Sequence, residues 1–252
     1  KKHTLLKNKK NINYLFFKEI DEIPNILKNK KIVYFINLAT YYTQSDEDKN
    51  ILKIINANIL LPSLVISLLN KKYLKKIITI GTMMEHSNNR EYYPSSFYAA
   101  SKRSFEDLMK YYKIKFPLLK CFNLKFYETF SDNDKRNKII PTIKKKFISN
   151  EITKISSKKL ELNFLHVSDV INAIEVIFKE NIKPGNYQIK ANKFTKIKRL
   201  IEMFNKKNSK KINYIFDNKK FFKINYNLKK LPYWKQKISI ENKFNSIING
   251  KN

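Results

Sequence analysis

The chain has 252 residues, 42% hydrophobic and 13% aromatic, enough for one large domain or a domain with a smaller lobe, which excludes a disordered polymer. A net charge of +31 invites a nucleic-acid reading, yet only four of the 52 basic residues are Arg, whereas readers of bases and phosphates favour the Arg fork. Lys sits among abundant Asn, Ile, Phe and Tyr, all served by A/T-rich codons, so the charge reads as a solvated lysine surface and nucleic acid is not the expected partner.

In chain order, residues 3–8 and 13–20 read as short strands and 23–30 as a weak helix. Residues 32–39 form a nearly continuous apolar run, the pattern of a parallel strand buried on both faces. A long helix over 46–70, a second buried strand over 75–81, a helix over 95–113 and a strand over 117–124 continue the alternation, which predicts a doubly wound parallel sheet. Beyond Tyr127 the rhythm changes: helix 139–150, strand 160–167, helix 168–179 capped by Ser168, strand 186–190, helix 195–207, strand 212–216 and helix 240–248. Cys121 is alone, which excludes an internal disulfide, and His3, His86 and His166 are too scattered for a zinc site, so no metal is expected. The longest apolar run, 59–69, is broken by Pro62, Ser63 and Ser67 and too short for a bilayer; with no signal peptide, a cytoplasmic protein without a membrane partner is expected.

Ser95 to Met109 carries the most chemistry. On a helix, Tyr98 and Lys102 stand one turn apart on one face, and an ammonium beside a phenol favours the phenolate, which suits general acid/base work. Spacing alone does not select this pair. Five Tyr–Lys pairs share it, starting at Tyr14, Tyr98, Tyr111, Tyr226 and Tyr233, against about three expected by chance.

The order of elements with Tyr98-Ala99-Ala100-Ser101-Lys102 in place resembles the extended short-chain dehydrogenase/reductase family, NAD(P)-dependent sugar-nucleotide epimerases, dehydratases and reductases. Further stretches carry the same resemblance. Ile36-Asn37-Leu38-Ala39-Thr40 is similar to its His-Leu-Ala-Ala strand end, with Asn where His is usual. Asn58 matches the helix Asn that supports the site, and Ile80-Gly81-Thr82 the strand end that supplies a catalytic hydroxyl. His86 stands where Tyr is frequent, and Phe130-Ser131-Asp132 replaces Tyr-Gly-Pro within residues 126–136. Residues 163–170, 184–189 and 231–235 resemble later segments of the family, and the short spacing from Thr82 to Tyr98 is most similar to its CDP-abequose and CDP-paratose synthase type.

The resemblance implies an α/β fold: a Rossmann-like sheet in 1–128, completed by 159–180, with a smaller substrate lobe in 129–252. It implies catalytic roles for Thr82, Tyr98 and Lys102 with support from Asn58. Cofactor contacts fall on Leu38, Ala39, Thr40, Tyr98, Lys102 and Lys7, and substrate contacts on Thr82, Met83, Glu128, Thr129 and Arg136. The cofactor is NAD or NADP, with Lys7 tilting toward NADP. The substrate is a nucleotide-activated 4-keto-6-deoxy sugar, of use in surface polysaccharide synthesis, and a homodimer would form through 46–70 and 95–113. Met83-Met84 stands where a dehydratase has an acidic pair, leaving epimerase and reductase. For His166 and Asp169 lobe packing and helix capping are expected. Only Gly81, Gly185 and Gly250 occur, so the chain holds no glycine-rich phosphate loop. About twenty-five residues of the family's first βα unit are expected to precede Lys1 in a longer reading frame. The alternative is an impaired fragment or a non-catalytic binding protein on this fold, touching RNA through its lysines.

Overall fold

The computed structural model describes residues 11–43, 45, 47–217, 219 and 223–250; Lys7 and the strand expected at 3–8 lie outside the described residues. Residues 13–20 are not the expected strand. They run as irregular chain into a 3-10 turn (Ile20–Glu22) and helix α1 (Ile23–Leu27). Ile12, Leu15 and Phe16 are exposed there and no strand among the described residues pairs with the segment, while Pro24 suits the first turn of a helix.

The apolar runs do form parallel strands, but the one expected over 32–39 to be buried on both faces is exposed at Val33, Tyr34, Ile36 and Leu38. β1 (Tyr34–Asn37), β2 (Lys76–Thr82), β3 (Lys120–Phe126) and β8 (Gly185–Ile189) make one sheet in the order β1-β2-β3-β8. On one face Ile77 packs with Ile66, Phe105 and Met109; on the other, Ile78, Phe122 and Leu124 pack with Ala173 and Ile177. Helices therefore cover both faces, which is why these strands carry no polar alternation. β8 returns more of the chain to this sheet than residues 159–180 alone. Among the described residues β1 pairs only with β2, and Tyr34, Ile36 and Leu38 lie exposed along it.

Helix α4 (Phe97–Lys115) starts where the Ser96 hydroxyl accepts a hydrogen bond from Ala99 N. Packed on it is a helix of three parts: α2 (Asp48–Ile55), a π turn (Asn56–Leu60) and α3 (Leu61–Leu68). The π turn is the kind of helix defect that serves sites. It carries Asn58, whose amide donates to Tyr41 O and Ser101 Oγ and accepts from Tyr41 N and Thr40 Oγ1. One buried side chain thus fixes the chain leaving β1 against α4. The continuous helical stretch Asp48–Leu68 is 21 residues long and contains 18 residues of mean hydropathy 1.9, by length and composition enough to cross a membrane, which the run 59–69 alone did not suggest.

After β4 (Glu128–Phe130), a second core gathers α5 (Ile139–Ile148), β5 (Thr153–Ile155), α7 (Ile197–Lys207), β10 (Tyr214–Phe216) and α8 (Ile240–Asn249) around Phe130, Phe147, Phe204 and Phe244. β4 and β5 have three residues each, too few to show a period in sequence. The segment expected as one strand over 160–167 is split: β6 (Glu161–Leu162) pairs with β9 (Thr195–Lys196), and β7 (Phe164–His166) with β4. Helix α6 (Val167–Lys179) is capped not by Ser168 but by His166, whose Nδ1 accepts from Ser168 N. Asp169 ties the lobe by accepting from Lys237 N and Ile238 N.

Gly81 is required by close approach. A Cβ there would lie 2.9 Å from Asn123 Oδ1 and 2.9 Å from Lys125 Cγ, and both side chains are held by buried partners. Gly81→Ala is therefore expected to lower the stability to urea by about 1–3 kcal/mol, the usual range for overpacking. An unchanged unfolding midpoint would show that Asn123 and Lys125 move freely.

Candidate active site

Three elements converge at the C-terminal ends of the parallel strands, where such sheets hold their ligands. β2 delivers Thr82, α4 delivers Tyr98 and Lys102, and the loop after β1 delivers Thr40, Tyr41 and Tyr42. Tyr98 is 9% and Lys102 6% exposed, with the Lys102 Nζ 5.9 Å from the centre of the Tyr98 ring. Burial separates this pair from its look-alikes, since Tyr14, Tyr111 and Tyr233 are exposed and the half-buried Tyr226 is followed by an exposed Lys230. Tyr98 meets the edge of Tyr42 at 4.9 Å between ring centres, and the Lys138 ammonium lies 3.7 Å from the centre of the Tyr42 ring.

Burial pushes the Tyr98 phenol well above its ordinary value, and a hydrogen bond with the Thr40 side chain only partly opposes this. Burial thus works on the phenol in the sense opposite to the nearby Lys102, which favours the phenolate. The Lys102 ammonium moves the other way, lowered to about 8 by burial against a weaker opposing pull from Glu85.

The Thr82 side chain is buried at the strand end and accepts from Met84 N at 3.2 Å, which opens the following 3-10 turn. Met83, expected to touch substrate, is fully buried with its sulfur 3.8 Å from the Gln188 amide. Glu128, Thr129 and Arg136 do come together: Arg136 donates to Thr129 Oγ1 and O and pairs with Asp134, while Glu128 pairs with Lys138 at 3.0 Å. Leu38 is exposed and Ala39 N donates to Asn37 Oδ1, so the end of β1 presents an open shelf beside Tyr98.

Several site residues were not visible in the sequence. Tyr42 and Lys138 had no motif. Glu85 and Lys125 were hidden as single charges among many, although a Lys in the middle of an apolar strand was a signal. His86 is buried, with its Nδ1 bonded to Glu91 O and its ring stacked on Tyr226 at 4.6 Å. Gln188 on β8 donates to Tyr127 Oη and Tyr226 O, which joins the sheet to the strap at 223–230.

The nicotinamide end of a dinucleotide suits the open shelf of Leu38 and Thr40 beside Tyr98 and Lys102. Its pyrophosphate does not suit the described residues, because no run of glycines presents backbone amides to it and the far edge of β1 is unpaired among them.

With this geometry in place, comparison with known proteins is specific. A CDP-abequose synthase of Salmonella muenchen is 28% identical over 207 residues, 81% of this chain and 69% of that protein. The structure of UDP-glucuronic acid 4-epimerase from Bacillus cereus in complex with UDP-glucuronic acid and NAD overlays with a TM-score of 0.78 at 16% identity, over 92% of this chain and 79% of the other. RMD from Pseudomonas aeruginosa, complexed with NADPH, does so at 0.76 and 15% identity, over 92% and 83%. The family described as the NAD dependent epimerase/dehydratase family matches residues 1–189, three quarters of the chain, and the protein belongs to it.

Proposed function

We propose that the site reduces a 4-keto-6-deoxy sugar carried on a nucleoside diphosphate, with CDP as the carrier. The observation that carries this reading is the buried Tyr98 phenol on α4, one turn from the buried Lys102. Similarity to CDP-abequose synthase supports the CDP sugar, and a role in surface polysaccharide synthesis follows from the same likeness. Met83 and Met84 in place of an acidic pair speak for reduction over dehydration.

The bound nicotinamide, NADPH by preference, would supply hydride to the sugar carbon. This chain's residues handle the oxygen. Thr82 orients the 4-oxygen beside Tyr98, and Tyr98 gives that oxygen its proton. Lys102, as an ammonium, stabilises the phenolate left behind. Asn58 keeps Thr40 and Tyr41 in place through its four hydrogen bonds.

The nucleotide end fits a cavity of about 480 Å³ lined by Lys158, Lys159, Lys196, Lys223 and Phe194, with the single carboxylate of Glu161 among them. Its ammonium groups suit a diphosphate and its ring a base. Phe194 meets Tyr127 at 5.4 Å, and the Gln188 amide donates to Tyr127 Oη and lies 3.8 Å from the sulfur of Met83, the residue after Thr82.

The outer faces of α2 and α4 suit a second copy of the chain. Leu52, Ile55, Leu60, Leu108, Tyr111 and Ile114 are exposed apolar residues on neighbouring helices, the expected dimer seam. Sedimentation should give twice the 30.2 kDa chain mass. Leu52→Glu with Ile114→Glu should return it to one, and a monomeric starting protein would contradict the seam.

With CDP-4-keto-6-deoxyglucose and NADPH, the protein should oxidise NADPH, and Tyr98→Phe should slow this by about 10²–10⁴-fold, the usual worth of general acid catalysis. Retention of full turnover in that variant would remove Tyr98 from the chemistry. The ammonium form of Lys102 is lost as pH rises through about 8, so turnover should fall there and stay flat between pH 6 and 7.

A further inference from the structure

The proton donor leans on a support that the proposed reaction does not use. Tyr98 reaches the site on a side chain with two rotatable bonds, so the backbone of α4 does not by itself fix where the hydroxyl points. Its ring lies against Tyr42 in an edge-to-face contact, 4.9 Å between centres with 85° between the planes. Tyr42 stands in the loop after β1. The four hydrogen bonds of Asn58 hold Thr40, Tyr41 and Ser101, and none of them reaches Tyr42. Its support comes from the second core instead. Lys138, the residue before α5, places its Nζ 3.7 Å from the centre of the Tyr42 ring. That ammonium is held in turn by Glu128 at the start of β4, 3.0 Å from Oε1 and 3.4 Å from Oε2. In so lysine-rich a chain, loose contacts between ammonium groups and rings are common, but among the described residues the next closest lies at 4.6 Å, over Phe147. The Lys138 and Glu128 side chains are only 17% and 20% exposed, so the contact is largely withdrawn from water, where a cation over a ring is worth most.

We propose that Lys138 and Tyr42 are positioning residues: the ammonium of Lys138, fixed by Glu128, clasps the Tyr42 ring, and that ring holds Tyr98 in the orientation from which it delivers its proton. The contacts run in one line from β4 through Lys138 and the loop after β1 to α4, so the second core is tied directly to the proton donor. A lysine kept for substrate alone would leave its ammonium open to the site, whereas this one is engaged by a carboxylate and a ring together. Loss of the cation frees Tyr42, and a free Tyr42 lets the Tyr98 ring turn among other staggered positions. Proton delivery then needs the phenol to find its place in each turnover, which lowers the rate of the step and leaves binding of the sugar nucleotide largely as it was.

The consequence for turnover rests on the proposed reaction, so the first measurement reads the tyrosine itself. In protein labelled with carbon-13 at tyrosine Cζ, the Tyr98 resonance is the one that disappears in Tyr98→Phe. Lys138→Met, which keeps the stem and removes the cation, should shift that resonance with the circular dichroism unchanged. In the Tyr42→Leu background the same substitution should leave it in place. An unmoved Tyr98 resonance in folded Lys138→Met, or an equal shift with and without Tyr42, overturns the proposal. Should Lys138→Met not fold, Lys138→Gln is read in the same way. With CDP-4-keto-6-deoxyglucose and NADPH, Lys138→Met should lower kcat by about 3–30-fold, the worth of a cation over a ring shielded from water, and leave KM for the sugar nucleotide within about twofold. Lys138→Arg should recover most of the loss. A raised KM with kcat kept would make Lys138 a substrate contact and overturn the positioning role. If the unaltered protein turns over no such substrate, the proposed reaction fails while the resonance still decides the clasp.

Discussion

Lys125 is the pin on which the site depends. It rises from the middle of β3, fully buried, and its ammonium bonds Glu85 from the turn after β2 and Glu106 from α4. Those two elements carry Thr82, Tyr98 and Lys102. A strand, a turn and a helix are thereby held in one register by two short charge-assisted bonds, the strongest kind available to side chains. The absence of a side chain at Gly81 is what lets Lys125 and Asn123 pass across β2.

Such a cluster is not there for stability alone. Buried ion pairs repay their desolvation poorly, and an apolar trio of similar volume would hold the same elements at least as well. What an apolar core cannot supply is the direction of two charge-assisted bonds that fix the turn after β2 and α4 on one atom of β3. The loop after β1 is held by a different device, the amide of Asn58 in a π turn, which requires no net charge. The site is thus set between an electrostatic floor and a hydrogen-bonded wall, with Tyr98 between them.

Much of this was legible in the sequence, and for identifiable reasons. Strands β2 and β3 are mostly apolar because helices cover both faces of them, and that pattern needs no partner to be read. Tyr98 could be chosen from five spaced pairs only through its context, and burial of Lys102 is the physical form of that context. Residues 13–20 misled because a run of Tyr, Leu and Phe has strand propensity, while a strand also needs a ladder to join, which propensity does not report. Ser168 looked like a cap by residue type, yet His166 two positions earlier reaches the same amide. Glu85 and Lys125 were invisible because pairing across 40 residues leaves no local period. The opposing pull of burial on the Tyr98 phenol was not legible, since spacing carries no information about desolvation.

The central claim is that Tyr98 and Lys102 serve hydride chemistry on a nucleotide sugar. Its most direct measurement is isotopic. Incubation of the protein with CDP-4-keto-6-deoxyglucose and NADPH deuterated at the transferable position of the nicotinamide should yield a product sugar carrying one deuterium at C4. Unlabelled, unreduced sugar from a folded preparation that instead binds RNA tightly and with steep salt dependence would contradict the account and assign the fold to binding.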